Sequence, residues 1–153
     1  MSELHKFIFA GLPVRGMLVR LTDSWQEILK RRRAAGGYPV EVMHLLGEMT
    51  AAGALMQGNI KFNGALVLQI FGDGPVKLAV AEVQPDLSLR ATATVTGVVD
   101  AGSTLSQLVN LNNEGRCAIT LDQMTNFQAN RRIRVWCHCL MTAVKKLKIS
   151  AKC

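Results

Sequence analysis

The residues best suited to chemistry lie close to the C-terminal end of the chain. Cys137-His138-Cys139 sets two thiols and an imidazole within three positions, and these are zinc-ligand types. A structural zinc site takes four ligands, and the customary complement of such a pair is a Cys-x-x-Cys. That motif is missing, and Cys153 is the only other thiol in this stretch, so no metal residue is assigned. Gly72-Asp73-Gly74-Pro75 shares its glycines with a phosphate loop. It lacks the Gly-Lys-Ser/Thr ending and the strand-to-helix setting, and reads as a turn between two strands. Asp23, Glu27, Glu41 and Glu48 fall on helix ends and exposed helix faces, with no pairing suited to acid–base work. His5 and His44 are isolated. Lys30-Arg31-Arg32-Arg33 sits where a helix C-terminus favours cations, without the aromatic residues of a nucleic-acid surface. No catalytic, cofactor-binding or metal-binding residue is assigned, and an enzyme has no residues to support it.

Charge divides the chain at Asp122. All 11 acidic side chains lie before that point or at it, balanced there by an equal number of Lys and Arg. Residues 123–153 carry Arg131, Arg132, Arg134, Lys145, Lys146, Lys148 and Lys152 and no acid, so they hold the whole formal charge of +7. A basic arm of this kind suggests nucleic-acid or membrane contact. Against nucleic acid, Phe127 and Trp136 are its only stacking residues and no binding motif is recognisable. No uncharged apolar run reaches the roughly 18 residues of a membrane span. The start of the chain lacks the basic and apolar regions of a secretory signal, which favours the cytoplasm. Cys117 is the only thiol before residue 123, which fits a reducing compartment.

The elements that must position these residues read as α+β. Leu4–Ala10 and Val14–Thr22 are expected strands around a Gly11–Pro13 turn. Ser24 and Glu27 predict a capping box for a helix through Arg33, stopped by Gly36-Gly37. Pro39 opens a second helix whose stripe of Val42, Met43, Leu46, Met49 and Ala52 is a core face. Asn59–Phe62 reads as a strand, turned by Asn63-Gly64 into Ala65–Phe71. Strands over Val76–Val83 and Leu87–Val99, a short helix over Ser103–Val109 and a strand from Cys117 to Leu121 follow. The expected architecture is a curled antiparallel sheet with helices packed against it.

Residues Leu4 to Asp122 resemble the heat-shock protein 33 family, the redox-regulated bacterial holdase also called the 33 kDa chaperonin. The resemblance is carried by Leu4-His5-Lys6-Phe7-Ile8-Phe9, Val14-Arg15-Gly16, Tyr38-Pro39, Leu45-Leu46-Gly47-Glu48 and Ile60-Lys61-Phe62-Asn63-Gly64. Its most specific stretch is Leu68 to Val80, around Gly72-Asp73-Gly74-Pro75; Arg90-Ala91, Gly97 and Gly115 to Thr120 follow in order. It implies a molecular chaperone that binds unfolding proteins under oxidative and heat stress without ATP or catalysis, and it leaves a homodimer open. It also implies that residues 1–122 are the N-terminal part of a core domain, incomplete here. The family's zinc redox switch, a C-terminal Cys-x-Cys and Cys-x-x-Cys domain, has no counterpart in this sequence, so no cofactor is expected in this chain.

After Asp122 the resemblance stops. Ile133 to Cys139 can be encoded by ATC AGG GTG TGG TGC CAC TGC. With a preceding T, and read one nucleotide earlier, those bases give Tyr-Gln-Gly-Val-Val-Pro-Leu, a family-like continuation. Gln123 to Gln128, with one C restored, can read Pro-Asn-Asp-Lys-Leu-Pro. The expectation is that one nucleotide was lost after the Asp122 codon, making 123–153 an out-of-frame tail rather than a native domain. The alternative is a basic nucleic-acid-binding protein that uses this tail.

Overall fold

Apolar residues on either side of a glycine–proline turn pair as an antiparallel ribbon, β1 (Glu3–Ile8) and β2 (Arg15–Arg20), with Leu4 opposite Val19 and Lys6 opposite Met17. The computed structural model describes residues 2–123 and 132–137. Gly11 turns the ribbon with a φ of +76°, a left-handed conformation suited to glycine. Both expected strands are present, shortened by the turn and, at the end of β2, by the helix that begins at Thr22.

The helix α1 (Thr22–Ala34) follows, but the capping box expected from Ser24 and Glu27 does not form. The helix begins earlier than expected, so Ser24 lies inside its first turn. A distant residue supplies the cap: the Ser24 N–H donates to Ser2 Oγ at 3.2 Å. Glu27 instead accepts from Arg31 Nε at 2.7 Å, one helical turn on. Gly36 and Gly37, with φ of +97° and +72°, end the helix as the sequence predicts, and the Gly37 N–H returns to the Arg32 carbonyl at 3.0 Å.

Pro39 caps α2 (Val40–Asn59). Its buried stripe is Val42, Leu45, Leu46, Met49, Thr50, Gly53, Ala54 and Gln57. Met43 and Ala52, expected in that stripe, are only partly buried. The strand expected over Asn59–Phe62 and its Asn63-Gly64 hairpin turn are absent, because the helix continues to Asn59. Two contacts hold it there: the Ile60 N–H bonds back to the Met56 carbonyl at 3.1 Å, and buried Gln57 donates to the Gly64 carbonyl at 3.0 Å. Asn63-Gly64 takes no positive φ and leads directly into the sheet.

The remaining elements are β3 (Gly64–Phe71), β4 (Val76–Val83), β5 (Leu89–Val95), α3 (Leu105–Val109), β6 (Arg116–Gln123) and β7 (Arg132–Cys137). They form a five-stranded antiparallel sheet in the order β5-β4-β3-β6-β7, beside the separate ribbon. β7 pairs with β6, placing Cys137 opposite Cys117 and Arg132 opposite Asp122. The expected strand over Leu87–Val99 is trimmed at both ends: Leu87 turns with a φ of +63°, and pairing stops at Val95. The fold is α+β, with helices packed on an antiparallel sheet.

The core lies between α2 and the sheet face that carries Leu66, Leu68 and Ile70 on β3 and their cross-strand neighbours Val83, Ala81 and Ala79 on β4. Gly53 of α2 approaches Val83 and Leu68 directly. Each large aliphatic side chain buried here contributes about 1.5–3 kcal/mol by removal from water.

Candidate functional site

The ribbon has two unlike faces. On one, Leu4 and Met17 come so close to Gly58 that a methyl group at that position would strike both, which seats the ribbon on the end of α2. On the other, the Phe7 ring lies across the strand on Gly16, beside Leu18 and edge-on to Phe9 at a ring-centroid distance of 5.4 Å. Phe7, Phe9 and Leu18 are all exposed, and the tip adds Ile8 (79% exposed), Leu12 (60%) and Val14. Six large apolar side chains thus gather on one small element, far more than the scattered exposed apolar residues normal for a surface. The polar end of the same ribbon is held by Glu3, which meets His5 Nε2 at 2.7 Å and Arg20 at 3.9 Å. The hydrogen bond from His5, helped by Arg20, keeps the Glu3 carboxyl below its ordinary value despite some loss of hydration. An open depression of about 460 Å³ lined by Arg15, Met17 and Asn59 lies where the ribbon meets α2.

Gly72-Asp73-Gly74-Pro75 is a β3–β4 turn, as expected, but its acid has a defined task. The Asp73 carboxylate accepts three backbone N–H groups, from Leu111 at 2.6 Å, Asn112 at 2.8 Å and Glu114 at 3.0 Å. It thereby binds the loop after α3 to the turn. Removal from water raises its pKa, and the three amides together outweigh that and lower it. A carboxylate saturated by amides holds a loop and has no place for a phosphate.

The other residues weighed in the sequence are dispersed. Among the described residues no group of three or more His, Cys, Asp or Glu is placed to hold a metal ion. Cys117 is buried in β6 and Cys137 is on β7, while His138, Cys139 and Cys153 lie outside the described residues. Glu41 accepts the Gly102 N–H at 2.8 Å. Within the basic run, Arg31 pairs with Glu27 on the helix surface and Arg32 stacks on the Tyr38 ring at 3.7 Å, so two of its four cations have partners in this chain. Most of the basic tail lies outside the described residues. No described helix is long and apolar enough to cross a membrane.

The exposed ribbon escaped sequence reasoning, although its signal was there. Phe7-Ile8-Phe9 is consecutive rather than alternating, and in a two-stranded ribbon that makes both faces apolar. Tyr38 was missed as well. A lone tyrosine behind Gly36-Gly37 has a hydroxyl that must find a partner when its ring is packed.

Residues 2–134 match the family described as Hsp33 protein. The chain belongs to the Hsp33 family. The match extends past Asp122, where the motifs read from the sequence stop. Among curated Hsp33 relatives, the 33 kDa chaperonin of Chromobacterium violaceum is 47% identical over 121 residues, 79% of this chain and 39% of that protein. The 33 kDa chaperonin of Methylobacillus flagellatus is 43% identical over 122 residues, again 79% and 39%. The crystal structure of the Thermotoga maritima 33 kDa chaperonin superposes with a TM-score of 0.67 at 15% identity, covering 86% of this chain and 44% of that one. That likeness is one of fold. The chain therefore spans about two fifths of the length of the Hsp33 relatives it matches.

Proposed function

We propose that this chain acts as a holdase, capturing unfolding polypeptides on exposed apolar surface without ATP or catalysis. The observation that carries this reading is the ribbon face of Phe7, Phe9 and Leu18 with Ile8, Leu12 and Val14 at its tip. Membership of a family whose relatives are named chaperonins supports it. Residues 1–153 contain no Cys-x-x-Cys, and capture by the ribbon is proposed to need no metal within these residues. A cytoplasmic location and a homodimer are further parts of the proposal.

The test is light scattering from guanidine-unfolded citrate synthase diluted into buffer with the full 153-residue chain. Suppressed scattering is expected, with suppression reduced severalfold in an Ile8→Ser/Leu18→Ser variant of unchanged circular dichroism. Equal suppression by the variant, or none by the parent, refutes the reading.

The tail is proposed to be translated out of frame after Asp122. Resequencing the coding DNA from that codon is expected to show that one restored base opens a frame continuing the family. If neither alternative frame does so, the basic tail is a native element.

A further inference from the structure

Among the described residues β5 is an edge strand of the main sheet, and its edge is plugged by one side chain. The Tyr38 hydroxyl donates to the Ala93 carbonyl at 2.7 Å and accepts from the Ala93 N–H at 2.9 Å. It thus takes both hydrogen bonds that a neighbouring strand would otherwise make at that residue. Backbone groups alternate along a strand, so Ala91, two residues before, presents its N–H and carbonyl along the same edge. Thr92 Oγ1 lies 3.3 Å from the same hydroxyl.

The plug follows a helix with little buried surface. α1 buries no residue. Its attachments include the Trp25 ring, which packs over Gly47 and on the core, the Ser2 cap and, through the loop that follows, Tyr38. Between α1 and Tyr38 lie Gly36 and Gly37, both at positive φ, where rotation carries the least steric penalty. An element with few buried contacts and a two-glycine joint opens at low free energy. Arg32, stacked on the Tyr38 ring, ties the plug to the last turn of α1, so the two move together.

We infer that the β5 edge is a gated strand-addition site, closed by Tyr38 and opened when α1 and its loop swing away, and that its occupant is an extended segment of an unfolding polypeptide. This rests on the capture reading above and adds its mode of binding. The occupant follows from the donors and acceptors on offer. Backbone groups at Ala91 and Ala93 recognise any extended chain irrespective of its side chains, and an unfolded protein supplies such segments in every register. Thr92 and Thr94 are exposed beside them, and small polar side chains leave that approach clear.

The probe is fluorescein-labelled, reduced and carboxymethylated α-lactalbumin, a permanently unfolded chain, titrated with the full-length protein and followed by anisotropy. Tyr38→Phe removes the plug's hydrogen bonds and is expected to tighten apparent binding roughly tenfold by raising the open fraction. Ala91→Pro removes an outward-facing N–H from the edge while sparing the β4 ladder, and in the Tyr38→Phe background it is expected to return binding to the parent level or below. Should Tyr38→Phe fail to fold by circular dichroism, Arg32→Ala loosens the plug from behind and is expected to tighten binding in the same direction. Equal binding by all variants leaves capture standing and overturns the edge as its site. Absence of binding by every protein overturns both. Self-association of Tyr38→Phe without the probe, seen by sedimentation, assigns the edge to a second copy and overturns the inference.

Discussion

Replacing Gly53 with alanine sets two known effects against each other in the centre of α2. Alanine is favoured over glycine in a helix interior by about 1 kcal/mol. The added methyl group would lie 2.9 Å from a γ-methyl of Val83, with Leu68 at an ordinary 3.5 Å. Val83 is fully buried and β-branched, so its methyl cannot swing aside as the end of a long chain can. Overpacking of this kind costs about 1–3 kcal/mol. Taking the middle of that range, Gly53→Ala should destabilise by about 1 kcal/mol net, lowering the melting temperature by roughly 2–8 °C. In a Val83→Ala background the obstructing methyl is gone, and the same substitution should become stabilising by up to about 1 kcal/mol. Thermal unfolding of the four proteins, followed by circular dichroism at 222 nm, completes the cycle. A higher melting temperature for Gly53→Ala alone, or the same shift in both backgrounds, would refute the argued contact between α2 and β4.

Two further outcomes test the loop contacts. The Asp73 carboxyl is lowered in the folded chain, so its stabilising contribution is fully present above the unfolded value of about 3.9 and is lost as pH falls through the folded value below it. Urea midpoints between pH 6 and pH 2.5 should therefore fall less steeply at the acid end for Asp73→Asn than for the parent, and parallel curves would count against the clamp. Thr104 caps α3 by a reciprocal box with Gln107, and Thr104→Ala should cost about 0.5–2 kcal/mol in urea unfolding, whereas Ser103→Ala should cost less.

What the sequence made legible was what neighbouring residues decide. Gly36-Gly37 stops α1, Pro39 starts α2, Gly72 to Pro75 turns β3 into β4, and the period of two in Leu89 to Val95 marks a strand. The failures share a cause. The Ser24–Glu27 box lost to Ser2, a residue 22 positions away, which no local window contains. Asn63-Gly64 carries a strong hairpin signal, yet α2 has a buried face that extends to Gln57 and leaves only a short link to β3. The same limit explains the functional surface. Alternation announces a strand but not which side finds a partner, so the exposure of Phe7 and Leu18 is visible only once the ribbon is seen to rest on α2 by its other face, through Leu4 and Met17.

The magnitudes favour two surfaces acting together. Complete burial of a large apolar side chain is worth about 1.5–3 kcal/mol, but Phe7, Phe9 and Leu18 are already about half covered, so each can gain only about half of that. With the gains from Ile8, Leu12 and Val14 at the tip, the whole surface offers about 5–10 kcal/mol, no more than comparable with the roughly 4–15 kcal/mol of lost freedom that association entails. The ribbon by itself would therefore hold an unfolded chain only briefly. Main-chain hydrogen bonds at β5 add a similar energy per contact, about 0.5–1.5 kcal/mol each, but they are indifferent to sequence and accumulate along a strand. A surface that must hold many different chains gains more from that indifference than from a deeper apolar pocket, which would select among them. On this argument, loss of the ribbon should shorten the residence of every captured chain. Blocking β5 should act most on those with long extended segments free of proline, because proline cannot donate to the ladder.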